Sequence, residues 1–253
     1  MPKSIGIISQ RFAQPLFSGL RRGDNPLFEL NEESSTQLAI KLREKNLDGA
    51  FLSPIDYAKN YSAYKVVPDV AAISKCASNT ILLFFKENIR KLETFAFDPN
   101  FSSEIVLATI ILSEKFDSKP KLIPFTGDID SALNEADAFL AVGDTAMKLQ
   151  SKRNRIDLVD EWLDISELPF VHGMWVARED NLTEEEIAFL IASSENILKG
   201  NKNDDEASDT DQGGFSYKLT EEAIAGLTEF FRMAYYHGIL KDIPDVKFFL
   251  YKS

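Results

Sequence analysis

Small polar residues collect where apolar runs end. Ser9, Gln10 and Gln14 follow the run SIGII, and Ser53 follows GAFL. Ser78, Asn79 and Thr80 open TILLFF. Asn100, Ser102 and Ser103 follow TFAFD, and Gly143, Asp144 and Thr145 follow AFLAV. Read one at a time, these are helix N-caps, whose side-chain oxygens accept from free backbone N–H groups. Their recurrence at five strand ends points to one shared cleft, because hydroxyls and free N–H groups at helix starts can hold a carboxylate or phosphate without a lysine. Phe12 sits in the middle of the first of these turns and faces either the cleft or the core.

The chemistry that is missing narrows the reading. Two histidines and one cysteine do not build an ordinary structural zinc site, so no metal is expected. There is no G-x-G-x-x-G after a strand, no G-x-x-x-x-G-K-[ST] loop and no G-x-S-x-G elbow, so no nucleotide cofactor is expected either. His172 could serve as a general base. It also follows Val171 in an apolar run, which suits a buried, hydrogen-bonded histidine equally. His237 and Gly238 read as an ordinary helix end.

Apolar runs that read as strands alternate with amphipathic stretches, which predicts parallel α/β architecture. Strands are predicted at 4–8, 27–30, 49–52, 65–73, 80–85, 94–98, 121–125, 138–142 and 170–178. Helices are predicted at 14–22, 35–45, 102–116, 129–135, 145–150 and about 220–237. Ser34 with Gln37 and Thr183 with Glu186 have capping-box spacing, and Ser53-Pro54 is a helix start. The strand–helix pattern occurs twice, over 4–60 and 94–150, so two α/β lobes with a cleft between them are expected. The expected division is 1–86 plus 172–253 against 87–171, with crossings near 80–90 and 170–178. The acidic stretch at 201–214 reads as a mobile surface loop rather than a calcium site, since it lacks EF-hand spacing.

The bulk numbers fit that picture. The chain has 253 residues, 44% hydrophobic and 27% charged, with a net charge of -12. An acidic surface repels phosphate backbones, so nucleic acid is not an expected partner. One cysteine, Cys76, fits a reducing compartment. The apolar runs are too short for a signal peptide or a membrane span. A cytoplasmic protein binding a small carboxylate is expected, with its oligomeric state left open.

The stretches "AVGDTAMKL" and "DLVDEWLDISELPFVHGMWVAR" resemble the menaquinone-biosynthesis family that contains chorismate dehydratase. "LDGAFLSPIDYA", "YKVVPDVAAIS", "FDPNFSSEIVLATIIL" and "LTEEAIAGLTEFFRMAYYHGIL" are similar as well. The resemblance implies the two-lobed fold of type II periplasmic binding proteins with a two-strand hinge. It also implies a cytoplasmic hydro-lyase that removes water from chorismate to give an enolpyruvyl-benzoate. The family serine opening the hinge strand falls on Thr80, the implied catalytic position. The Thr-Ser pair falls on Ser102 and Ser103, and the Gly-Asp pair on Gly143 and Asp144. The chain departs where the family's strand phenylalanine is His172, where an arginine is Phe101, and where the first turn has Phe12 for asparagine and Gln14 for arginine. Those departures favour, as alternatives, a divergent paralogue or a non-catalytic binding protein for a small aromatic or carboxylate ligand.

Overall fold

The computed structural model describes residues 2–21, 27–152, 154–199 and 214–251, without the side chains of 195–199. The acidic stretch lies outside the described residues except for Gly214.

The first repeat runs β1 (Lys3–Ile7), α1 (Gln14–Phe17), β2 (Phe28–Glu32), α2 (Ser35–Arg43), β3 (Gly49–Leu52) and α3 (Pro54–Ala58). After it come β4 (Tyr64–Ser74) and β5 (Ile81–Phe85). The second repeat runs β6 (Thr94–Phe97), α4 (Ser102–Phe116), β7 (Lys121–Pro124), α5 (Ile129–Glu135), β8 (Ala138–Val142) and α6 (Asp144–Leu149). The chain closes with β9 (Arg155–Asp157), α7 (Leu158–Ser166), β10 (Phe170–Arg178), α8 (Glu184–Lys199), β11 (Phe215–Lys218) and α9 (Glu221–Tyr236).

The repeats share a topology. In one sheet β2, β1 and β3 are parallel, and in the other β7, β6 and β8 are parallel, each repeat placing its first strand in the middle. The sheets are completed antiparallel, as β11-β4-β10-β3-β1-β2 and β7-β6-β8-β5-β9. The chain therefore passes from the first sheet to the second over 75–80 and returns over 158–169. The stretches expected to be crossings, 80–90 and 170–178, instead begin in β5 and β10, the first strand after each passage. Parallel strands need helical crossovers, and each repeat has them.

Local rules hold where the signal is local. β10, α4 and α5 occupy the ranges that periodicity predicts. The expected helix at 14–22 is shorter, because the chain turns after Phe17 and Gly19 packs against α8. A Cβ on Gly19 would lie 2.9 Å from Ser193 backbone atoms. The Thr183–Glu186 capping box forms reciprocally: Glu186 N donates to Thr183 Oγ1 at 3.3 Å, and Thr183 N to Glu186 Oε2 at 2.8 Å. Replacing Thr183 by alanine is expected to cost about 1 kcal/mol of stability, measured by urea unfolding. An unchanged midpoint would show that packing alone starts α8.

Candidate functional site

A cavity of about 210 Å³ opens at the carboxyl ends of the strands, where the two sheets meet. One wall is the β1 turn, with Ser9, Gln10 and Phe12. The start of α2 adds Glu33, Ser34 and Ser35, and the end of β3 adds Ser53. From the second sheet come Asp98, Asn100, Phe101 and Glu104, at the start of α4. His172 of β10 closes the set.

Phe12 resolves the question of its direction in both senses. It is 8% exposed, stacks on Phe215 at 5.2 Å and 8°, and still lines the cavity. His172 is 3% exposed and boxed in by Phe12, Phe170 and Phe215, with ring centroids 5.0–5.2 Å away. Burial pulls its pKa down to about 3, so the ring is neutral. Its Nε2 lies 2.9 Å from Ser74 Oγ, and Nδ1 is buried without a partner among the described residues. The buried Ser74 hydroxyl has Nε2 as its one partner among the described residues. Ser74 therefore donates to Nε2, and Nδ1 carries the hydrogen, the arrangement that leaves fewest orphaned groups.

Several expected site residues brace the cavity rather than line it. Gln14 Nε2 donates to Ile8 O at 3.0 Å and to Gln10 O at 3.4 Å, fixing the first turn. Ser103 Oγ donates to Ser53 Oγ at 3.0 Å and accepts from Ile55 N at 2.9 Å, while Ser102 Oγ approaches Ser53 at 3.4 Å. Gly143 and Asp144 meet the first turn: Asp144 N donates to Gln10 Oε1, and Arg11 N to Asp144 Oδ1, both at 3.2 Å. Thr145 is exposed. Ser78, Asn79 and Thr80 serve the crossing between the sheets. Ser78 and Thr80 are buried with their hydroxyls 2.7 Å apart, and Asn79 N donates to Asp157 Oδ2 at 2.6 Å. None of the three lines the cavity. Across the cleft, Ser34 Oγ reaches Asn100 Oδ1 at 3.3 Å, and Thr36 Oγ1 donates to Asn100 O at 3.2 Å.

Sequence reasoning missed Glu104. Its side chain is on the cavity wall and 7% exposed, and the hydrogen bond its carboxyl accepts is from its own backbone N–H. Burial, with the negative Asp56 adding to it, raises its pKa to about 7. That value suits proton transfer near neutrality. The signal was present: Glu104 shares the buried face of α4 with Leu107, Ala108 and Ile111, spaced at i+3, i+4 and i+7. A carboxylate on an apolar face next to Ser102-Ser103 is the anomaly to look for. Among the described residues, no group of three or more His, Cys, Asp or Glu side chains is arranged to hold a metal. Nor is any described helix long and apolar enough to cross a membrane.

The family described as menaquinone biosynthesis matches residues 3–236. Among solved structures, protein AF1704 from Archaeoglobus fulgidus is similar, with 18% identity and a TM-score of 0.66, over 94% of this chain and 98% of that one. The Candida albicans CA3427 gene product, described as having the generic periplasmic binding protein fold, is 14% identical with a TM-score of 0.64, over 96% of this chain and 92% of that one. The alkanesulfonate-binding protein SsuA from Xanthomonas axonopodis pv. citri, bound to MOPS, is 15% identical with a TM-score of 0.59, over 96% and 95%. The fold is that of periplasmic binding proteins.

Proposed function

Because the chain belongs to the menaquinone-biosynthesis family, we propose that its cavity removes water from chorismate and releases an enolpyruvyl-benzoate. In that elimination the ring carbon bearing the enolpyruvyl ether loses a proton. The electron pair left behind forms a ring double bond, and the hydroxyl on the neighbouring carbon leaves with a proton as water. Aromatisation drives the step. The protein has to hold the ring and move one proton.

The observation that carries this reading is Glu104, a carboxyl with a pKa of about 7 on the wall of a cavity that suits a single-ring ligand. In this reading Glu104 takes the carbon proton and returns it to the departing hydroxyl. Neutral His172 offers an N–H without a charge, and the starts of α2 and α4 direct their positive ends at the ligand. Phe12 and Phe101 pack on the ring faces. Thr80, the catalytic position implied by resemblance, acts here by holding the crossing beside Gly143, whose N donates to Thr80 O at 2.7 Å.

We place the reaction in the cytoplasm, which fits a chain with one cysteine. The lobes are proposed as 1–86 with 172–253 against 87–171, adjusted so that β5 joins the second, whose sheet it completes. The test is incubation of chorismate with the enzyme at high concentration, followed by the ultraviolet change of aromatisation and mass analysis of the product. Formation of the enolpyruvyl-benzoate is expected. Absence of turnover together with absence of binding would overturn the reading.

A second reading has its own observation. Glu33, Asp98 and Glu104 line the cavity, and no lysine or arginine is among its lining residues. A dianion is disfavoured there, although Lys41 pairs with Glu33 at 2.8 Å and Asp98 Oδ1 accepts from Asn100 N and Nδ2 at 2.9 Å. A divergent paralogue or binding protein for a less anionic aromatic ligand fits that wall. Chorismate binding without product, or tighter binding of a neutral ring, would favour it.

A further inference from the structure

Serines on a cavity wall suggest hydroxyl donors for an anion. The hydrogen-bond network behind these serines reverses that polarity. Asp56 is buried beneath the wall, and its Oδ2 accepts from Ser35 Oγ at 2.7 Å and from Ser53 Oγ at 3.0 Å. Lys59 holds the other oxygen, Oδ1, at 2.9 Å. An ionised carboxylate only accepts, so both serine hydrogens point inward to Asp56. Ser35 Oγ also accepts once from the protein, from Ser53 N at 2.8 Å, whereas Ser53 Oγ accepts twice, from Ser103 Oγ at 3.0 Å and from Ser102 Oγ at 3.4 Å. Ser53 is thereby saturated, and what Ser35 has left for a ligand is a lone pair.

Glu104 extends the same wall. Its carboxyl is more than nine-tenths buried and lines the cavity, and the hydrogen bond it accepts is from its own backbone N–H. A buried carboxyl with a single backbone donor keeps acceptor capacity that nothing meets, and a ligand that supplies a further donor lowers the cost of burying it. Two acceptors, Ser35 and Glu104, therefore face one cavity while the hydroxyl hydrogens of Ser35 and Ser53 are already committed.

We propose that this wall is a donor-reading subsite, taking a single-ring ligand that points a hydroxyl or ammonium group at Ser35 and Glu104. Asp56 is its positioning residue, acting through the two serines. The inference rests on the reading above only in treating this cavity as the ligand site. It holds whether the ligand is dehydrated or merely bound. It also divides the cavity: an acidic group of the ligand belongs at His172, away from Glu104.

The test is titration calorimetry of the full chain with four probes at about pH 8, where Glu104 is ionised. The probes are benzoate, isophthalate, 3-hydroxybenzoate and 3-(aminomethyl)benzoate. The hydroxyl or aminomethyl probe is expected to bind about tenfold or more tightly than benzoate, with isophthalate weakest. A stronger aminomethyl probe assigns an ammonium group, and a stronger hydroxyl probe a hydroxyl group. Either result supports the subsite. Benzoate or isophthalate binding as tightly as both donor probes overturns it. Asp56→Asn, checked by circular dichroism, is expected to weaken the preference by releasing the serine hydrogens, with the Glu104 carboxyl still accepting. The wild-type series decides the matter if that variant does not fold. Chorismate turnover is scored separately, so a donor preference without turnover overturns only the dehydratase reading, and turnover without the preference overturns only the subsite.

Discussion

Glu104→Gln is expected to abolish the dehydration of chorismate while making the protein more stable above neutral pH. The substitution keeps shape and volume but removes the group that moves the proton, so turnover should fall by about 10²–10⁴-fold. The stability gain follows from linkage. Burial raises the Glu104 pKa from 4.5 to about 7, so between those values the folded state holds a proton that the unfolded state has released. Stability from this group is complete below the unfolded value and is lost as pH rises through the folded one. At about pH 8 the ionised, buried carboxylate costs on the order of 3 kcal/mol, which glutamine does not incur. Wild-type melting temperature should fall between about pH 5 and pH 8, and the variant should show less of that fall. Wild-type activity should rise over the upper part of the range as Glu104 becomes a base. A variant that retains wild-type turnover would remove Glu104 from the chemistry. A variant with the same pH dependence of melting would show that Glu104 is not the group raised by burial.

Gly143→Ala is expected to loosen the clasp between the two sheets. Gly143 has φ 57 and ψ -127, a conformation open to glycine and strained for residues with a side chain. The strain alone should cost about 1–3 kcal/mol. A Cβ there would also lie 1.6 Å from Gln10 Oε1. The Gln10 side chain must then swing away, which breaks its bond from Asp144 N and frees the first turn at the edge of the cavity. The expected outcome is a lower melting temperature, with a larger radius of gyration by small-angle scattering and weaker binding of the benzoate probes. Gln10→Ala in the wild-type background separates the two causes, because it removes the clasp without the backbone strain. If Gly143→Ala lowers melting but leaves both radius and binding untouched, the Gln10–Asp144 contact does not hold the cleft.

The positions most informative about the site were the ones that broke a local rule. Phe12 occupies a polar turn, His172 an apolar strand, and Glu104 the apolar face of a helix. The first two were visible as exceptions within their own segments. Glu104 was easier to miss because it stands at a helix start, where a carboxylate is ordinary. The apolar spacing of Leu107, Ala108 and Ile111 marks its face of α4, and the packing of α4 against the first repeat decides how deeply it is buried. The polarity of the serines was hidden for a related reason. Ser35, Ser53, Asp56 and Ser103 come from three separate segments, and the direction of their hydrogens depends on all four being together.

Elements short of their own periodicity were not legible either. β9 has three residues and owes its existence to pairing with β5, and β11 has four and pairs with β4. α7 starts on the Asp157 cap, whose side chain also accepts from Asn79 N across the crossing.

The sequence by itself determined the repeated β-α-β-α-β units, the main helix boundaries and the strand ends at which a ligand site must lie. Those features follow from hydrophobic period, capping residues and the rule that parallel strands need crossovers, all of which act within a few tens of residues. The tertiary structure alone decided which strands complete each sheet, which polar residues face the cavity and which brace it. It also decided that a buried carboxylate and inward-turned hydroxyls make that wall an acceptor. Those outcomes depend on burial and on hydrogen-bond partners from segments far apart in the chain, and neither exists until the two sheets have met.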